Sequence, residues 1–173
     1  HYLSLESIVN TKSHWDNIFD VIKNSKQGST ITIYDNIKIL KDRKTLIIYL
    51  DIDINNNYKI KVNNKKTLQW YHSYFSILKS LPANISQPYF KVPSKYIDNG
   101  LYVTHWLYGD KIKINNKTKK ISDLFINNKI SMFDKKYYPI VRDQNNNILW
   151  IPDIAKIECK NRTDYMYMTW FCK

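Results

Sequence analysis

Glycine is scarce in this sequence, with three residues in a chain of 173, at positions 28, 100 and 109. Nucleotide-cradling loops such as G-x-x-x-x-G-K-[ST] or G-x-G-x-x-G need clustered glycines, so that chemistry is excluded. The two cysteines, Cys159 and Cys172, and the four histidines, His1, His14, His72 and His105, are scattered. They offer no C-x-x-C clasp and no zinc-ligand spacing, and in a reducing compartment no disulfide is expected. Arginine occurs only at positions 43, 142 and 162, so nearly all positive charge is lysine. No apolar run approaches the ~20 residues of a membrane span. The residues from His1 to Ile8 lack the basic flank and apolar stretch of a signal peptide. Carboxylates are few and scattered, and H-E-x-x-H, G-x-S-x-G and S-G-G-x-D-S motifs are absent. Together these absences lead to the expectation of a cytoplasmic, soluble, non-catalytic chain with no metal site and no cofactor of its own.

Lysine, asparagine and aromatic residues are plentiful instead. There are 27 Lys and Arg against 15 Asp and Glu, a net charge of +12, and 14% of residues are aromatic. Excess lysine attracts polyphosphate by Coulomb steering and counterion release. The same excess also serves as a solubilising surface in a lysine- and asparagine-biased chain, and composition alone leaves the two readings level. The N-x-S/T sequons at Asn84, Asn116 and Asn161 arise by chance in so asparagine-rich a sequence.

Hydrophobic periodicity gives an α+β chain: an N-terminal helix plus a β-hairpin segment, then a mostly antiparallel C-terminal sheet with short helices. Residues Ser13 to Lys26 place Trp15, Ile18, Phe19 and Ile22 at i, i+3, i+4 and i+7, a single helical stripe, and Gly28 ends it. Leu3 to Val9 resembles the tail of an earlier helix, as in a fragment of something longer. Thr30–Tyr34 and Ile37–Leu40 flank the two-residue turn Asp35-Asn36, and a third strand runs from Thr45 to Leu50. Tyr58, Ile60 and Val62 alternate between asparagine-rich turns. Residues 67–78 fit a helix or a strand equally. Pro82, Pro88 and Pro93 punctuate an extended linker, which divides the chain into domains at 1–82 and 83–173. Further strands are expected at 101–106, 111–114, 139–142, 148–151 and 165–171, with a polar hairpin at 143–147 and an amphipathic helix beginning near Ser122. His105, beside Trp106, reads as a half-exposed strand residue rather than an acid–base group. Phe125, Ile126, Tyr138 and Trp150 read as core.

Five elements occur in order between Tyr108 and Asp153. They are Gly109-Asp110-Lys111-Ile112, then Lys119-Lys120-Ile121-Ser122-Asp123-Leu124-Phe125-Ile126, then Lys129-Ile130, then Tyr138-Pro139-Ile140-Val141, then Ile148-Leu149-Trp150-Ile151-Pro152. This series resembles the C-terminal domain of the tRNA(Ile)-lysidine synthases (TilS), which carries a G-D turn, a K-K-x-x-D-x-F-I block, a K-[IV]-P segment, a P-[IL]-[VI] strand and a W-[VI]-P strand. Ser13 to Tyr49 is similar to the region just upstream in that family. Departures fall at Ser131 and Met132, where the family has proline and basic residues. They fall also at Thr104, where it has an arginine, and at Asp153, where it has a glycine.

The resemblance implies a fold similar to an editing-type module of the phenylalanyl-tRNA synthetase β subunit, and a domain that holds tRNA, acceptor stem included. It implies a partner, tRNA(Ile) with a CAU anticodon. In the family ATP adenylates the wobble cytidine and lysine displaces AMP to give lysidine, in an N-terminal ATP-pyrophosphatase domain that this sequence does not contain. ATP and lysine are then substrates of that domain and not of these residues. RNA-contact candidates under this reading are Lys119 and Lys120 at the start of a helix, where free backbone N–H groups favour phosphate. Lys111 and Lys113 share one strand face and join them, with Lys129, Lys135, Lys136 and Arg142. Asp110 and Asp123 read as structural, in a turn and a first helical turn. A free-standing basic RNA-binding or protein-interaction module is the rival reading.

Overall fold

A computed structural model describes residues 12–51, 58–64, 66–159 and 164–172. The helical tail expected at residues 3–9 and the asparagine turn at 55–57 lie outside them. The chain forms two compact units that part between residues 54 and 55, with Ser131–Phe133 grouped with the first. The boundary expected at 82/83 therefore falls inside the second unit. The strands at 59–61 and 73–78 are hydrogen-bonded into C-terminal sheets, a long-range pairing that proline punctuation does not reveal.

The first unit pairs helix α1 (Lys12–Asn24) with an antiparallel three-stranded sheet, β1 (Thr30–Tyr34), β2 (Ile37–Asp42) and β3 (Thr45–Leu50). Asp35, in the first of its two tight turns, takes φ 42° and Arg43, in the second, φ 46°, the left-handed values that two-residue hairpins need. Ile18, Ile33, Ile37 and Ile39 form the core. The four-residue helical stripe is only partly used. Ile18 and Val21 are buried, whereas Trp15, Phe19 and Ile22 remain 41%, 52% and 39% exposed, because the small sheet covers one turn-wide strip of the helix. Lys41 reaches back from β2 to cap the helix end, its Nζ donating to the carbonyls of Ile22 at 2.7 Å and Ser25 at 2.9 Å.

The second unit is layered. One sheet is ordered β13-β12-β11-β8-β4, from Ala155–Lys156, Ile148–Ile151, Ile140–Asp143, Leu101–Thr104 and Lys59–Lys61. The other is ordered β5-β6-β14-β7, from Leu68–Trp70, Ser73–Leu78, Tyr165–Cys172 and Tyr89–Pro93. Every pairing is antiparallel. Residues 67–78 thus resolve as a hairpin, turned at Tyr71 with φ 49°. The linker expected around Pro88 and Pro93 is instead strand β7, followed by helix α2 (Ser94–Gly100).

Between the two sheets lies a core of Val62, Leu68, Trp70, Phe75, Phe90, Val92, Leu101, Val103, Val141, Leu149, Trp150 and Met168. The opposite side of β11 and β12 packs against a second core, Ile112, Ile121, Leu124, Phe125, Ile140, Ile148 and Ile151. Both strands are therefore buried along their whole length, as expected for strands covered on two faces. Helix α3 (Ile121–Asn127) and the hairpin β9 (Lys111–Ile114) with β10 (Lys117–Lys120) supply that second cover. Helix α4 (Met132–Tyr137) follows, and from Asp134 onward it belongs to this unit.

Phe125 and Trp150 are core as expected, and truncating the ring of such a residue costs about 3–5 kcal/mol. Ile126 is not: it is 65% exposed, on the side of α3 away from the sheet. Tyr138 packs at the edge of the second core, its hydroxyl donating to the Pro152 carbonyl at 2.8 Å, and burial pushes that hydroxyl's pKa up.

Candidate nucleic-acid interface

The hairpin β9–β10 carries five lysines and no carboxylate within Lys111–Lys120. Asn115 and Asn116 make its turn at φ 48° and 62°, values that asparagine tolerates better than most residues. Ile112 is buried in the second core, and this anchors the hairpin and sends Lys111 and Lys113 outward. The register sets Lys120 opposite Lys111, Thr118 opposite Lys113, Lys119 opposite Ile112 and Lys117 opposite Ile114. Directly opposed residues share a sheet face, so Lys111, Lys113 and Lys120 project from one face. Lys117 and Lys119 flank the isoleucines on the other.

The expected Lys119–Lys120 doublet is consequently split, because the two lie in a strand whose side chains alternate. Lys120 is the residue before α3, but the helix spans only seven residues and its first N–H, on Ile121, already donates to the Asp110 carbonyl at 3.0 Å. The hairpin's positive charge thus rests on its lysine side chains. Lys117 was not singled out from sequence; a count of lysines on both sides of the Asn115-Asn116 turn would have found it.

The other expected contacts sit elsewhere. Lys129 takes φ 56° at the end of α3, where its N–H donates to the Ile126 carbonyl and the N–H of Ile130 to that of Phe125. These two bonds close the helix in the manner usually reserved for glycine. Lys135 and Lys136 occupy the last turn of α4 and are half-buried.

Arg142 is not a surface group: its residue is 3% exposed. Its guanidinium forms an ion pair with Asp110, Nη1 donating to Oδ1 at 3.2 Å and Nη2 to Oδ2, while Nε donates to Thr104 Oγ1 at 2.8 Å. Asp110 Oδ2 also accepts the Leu107 N–H at 2.6 Å, which confirms its role in the turn. Asp143 is similarly occupied, accepting from the N–H groups of Asn145 and Asn147 and from the Asn147 amide.

A cleft of about 780 Å³ runs beside the hairpin, lined by Lys111, Lys113, Asn116, Asp143, Asn147 and Glu158 among others. Two of its lining carboxylates, Asp110 and Asp143, are bound as described, and Lys111, Lys113 and Glu158 also line it. His105 is 2% exposed rather than half-exposed. Its Nδ1 lies 3.1 Å from the Lys136 carbonyl and its Nε2 3.1 Å from the Tyr71 hydroxyl, and its ring packs 4.7 Å from that of Trp70. Burial lowers its pKa, with partial opposition from the bond to Lys136. A neutral imidazole donating from Nδ1 and accepting at Nε2 fits these partners, which makes it a structural link. Among the described residues, no group of three His, Cys, Asp or Glu side chains could hold a metal ion, and no helix is long and apolar enough to cross a membrane.

No family model matches the chain. Curated proteins similar to it are tRNA(Ile)-lysidine synthases. That of Bacillus licheniformis is 36% identical over 69 residues, covering 39% of this chain and 14% of the relative. That of Thermotoga maritima is 32% identical over 59 residues, 34% of this chain and 14% of the relative. That of Bacillus subtilis is 40% identical over 50 residues, 28% of this chain and 11% of the relative. The similarity therefore spans about 14% of the length of the first of these relatives. A crystal structure of the TilS C-terminal domain superposes with a TM-score of 0.58 at 23% identity, covering 66% of this chain and 96% of that one. In sequence the chain resembles the tRNA(Ile)-lysidine synthases, and in fold it resembles their C-terminal domain.

Proposed function

We propose that this chain is the tRNA-holding, non-catalytic portion of a tRNA(Ile)-lysidine synthase, with tRNA(Ile) bearing a CAU anticodon as its partner in the cytoplasm. The observation that carries the reading is the fold likeness to nearly the whole TilS C-terminal domain. The lysine hairpin supports it, because a carboxylate-free strand pair with three lysines on one face is suited to follow a phosphate backbone. A helical RNA stem offers a shallow minor groove and few unstacked bases, so shape and phosphate contacts dominate its recognition. Adenylation of the cytidine by ATP and displacement of AMP by lysine belong, in this reading, to a catalytic domain outside these residues.

Two assays test it. Fluorescently labelled tRNA(Ile) should bind the chain and be displaced by unlabelled tRNA far better than by polyglutamate of equal charge. The chain incubated with tRNA, ATP and lysine should release no pyrophosphate. Equal displacement by polyglutamate would favour a generic basic surface, and pyrophosphate release would contradict the non-catalytic assignment.

A further inference from the structure

The sheet β5-β6-β14-β7 has one face in the core and one face with an unusual composition. Alternation sends Leu68, Trp70, Phe75, Phe90, Val92 and Met168 inward. It sends Tyr74, Tyr89, Lys91, Tyr165, Tyr167 and Phe171 to the other side. The solvent side of an antiparallel sheet is ordinarily polar, whereas five rings stand on this one: Tyr89 is exposed, the other four are half-buried, and Thr169 between them is buried. None of these five rings belongs to a buried core cluster of the described residues.

The register arranges them in rows. Phe171 lies opposite Tyr74, and the two rings stack at 5.2 Å with an interplanar angle of 16°. Tyr167 lies between Leu78 and Lys91, and its ring meets that of Tyr89 edge-on at 6.3 Å. Ser76 and Thr169 separate the two groups. Lysines sit against the rings: Lys91 Nζ is 4.0 Å from the Tyr165 centroid, and Lys156 Nζ is 5.0 Å from that of Tyr89. The four strands contain no Asp or Glu.

We propose that this face binds unpaired RNA nucleotides, their bases stacking on Tyr89, Tyr167 and the Tyr74–Phe171 pair and their phosphates meeting Lys91 and Lys156. The proposal rests on the reading of the chain as an RNA holder, but it assigns a surface and a substrate form separate from the lysine hairpin and the tRNA stem. Flat rings accept the face of any base, and lysines beside them neutralise the backbone, which is how sequence-tolerant single-strand platforms work. A protein partner fits less well, since lysine is depleted at protein–protein interfaces and here Lys91 and Lys156 both lie against rings at the β7 edge.

The test uses the full chain and a fluorescein-labelled short oligoadenylate, with a blunt RNA duplex and tRNA as comparisons. The oligoadenylate should bind, and Tyr167→Ala and Tyr89→Ala should each weaken it about tenfold while leaving duplex affinity unchanged. Tyr167→Phe should bind as the parent does. Tyr167→Leu, which keeps apolar cover on the sheet, should behave like the alanine variant, and thermal unfolding checks that each variant folds. Unchanged oligoadenylate affinity in the Ala and Leu variants overturns the proposal. So does tRNA binding without oligoadenylate binding, which leaves the tRNA reading standing, whereas loss of both defeats both. Self-association of the chain that these variants abolish, with no oligoadenylate bound, overturns it in favour of protein docking.

Discussion

Arg142 on β11 and Asp110 in the turn before β9 form an ion pair beneath the candidate interface, with the arginine 3% and the aspartate side chain 13% exposed. The pair fixes the start of the lysine hairpin to the central sheet, because Asp110 also accepts the Leu107 N–H and its carbonyl receives the Ile121 N–H. Removing one partner leaves a buried charge uncompensated. Arg142→Ala is expected to cost about 3–5 kcal/mol of stability, read from urea unfolding midpoints. Arg142→Lys should recover only part of that, since a lysine cannot reproduce the two-pronged contact. A variant of full stability with lost tRNA binding would return Arg142 to the list of RNA contacts.

His105 makes the fold acid-sensitive. Its pKa is lowered from 6.5 in the folded chain by burial, so the unfolded chain binds more protons below that value. The stability it contributes is complete above pH 6.5 and is lost as pH falls from there through the folded pKa, at up to about 1.4 kcal/mol per pH unit. Urea midpoints measured at pH 7.5 and 5.5 should therefore fall with acid. His105→Gln should be less stable at pH 7.5 but should show a flatter dependence. Asp153, whose pKa burial raises from 3.8, works in the opposite sense, and because parent and variant share it, its contribution cancels in the comparison of their slopes. Parallel slopes for parent and variant would remove His105 as the cause.

The split of the lysines across two hairpin faces gives a test of placement at constant charge. Lys111→Glu with Lys120→Glu reverses the outward face, and Lys117→Glu with Lys119→Glu reverses the face shared with Ile112 and Ile114. Both pairs change net charge equally. The first is expected to cost at least ~1 kcal/mol more in tRNA affinity, the scale of charge-assisted hydrogen bonds lost. Equal losses in a filter-binding assay at one salt concentration would mean bulk attraction only.

Local signals were legible in the sequence and long-range ones were not. Asp35-Asn36 and Asn115-Asn116 mark their turns through residue types that tolerate positive φ, and the Lys-Ile alternation of β9 declares its faces. Tyr71 at φ 49° gives no such cue, so its hairpin was indistinguishable from a helix. Strand β14 sits between β6 and β7, pairing Met168 with Ile77 and with Phe90. That partnership bridges about half the chain and leaves no mark on local periodicity, which is why the domain boundary was expected too late. At the candidate site, Lys111 and Lys113 were legible because alternation alone sets their face. Lys119 and Lys120 were misread as a doublet because β10 was not recognised as a strand. Arg142 was misread because the partner that buries it, Asp110, lies 32 residues away.

If the chain holds tRNA through phosphate contacts, as proposed, its binding must weaken with salt. The dissociation constant for tRNA(Ile) should be measured by fluorescence anisotropy across a salt series, with the parent and the Lys111→Glu, Lys120→Glu variant side by side. The logarithm of affinity should fall linearly with the logarithm of salt, with a slope of about −0.9 per phosphate neutralised on duplex regions, and the variant's slope should be shallower by roughly two contacts. A flat salt response, or identical slopes for parent and variant, would contradict the account.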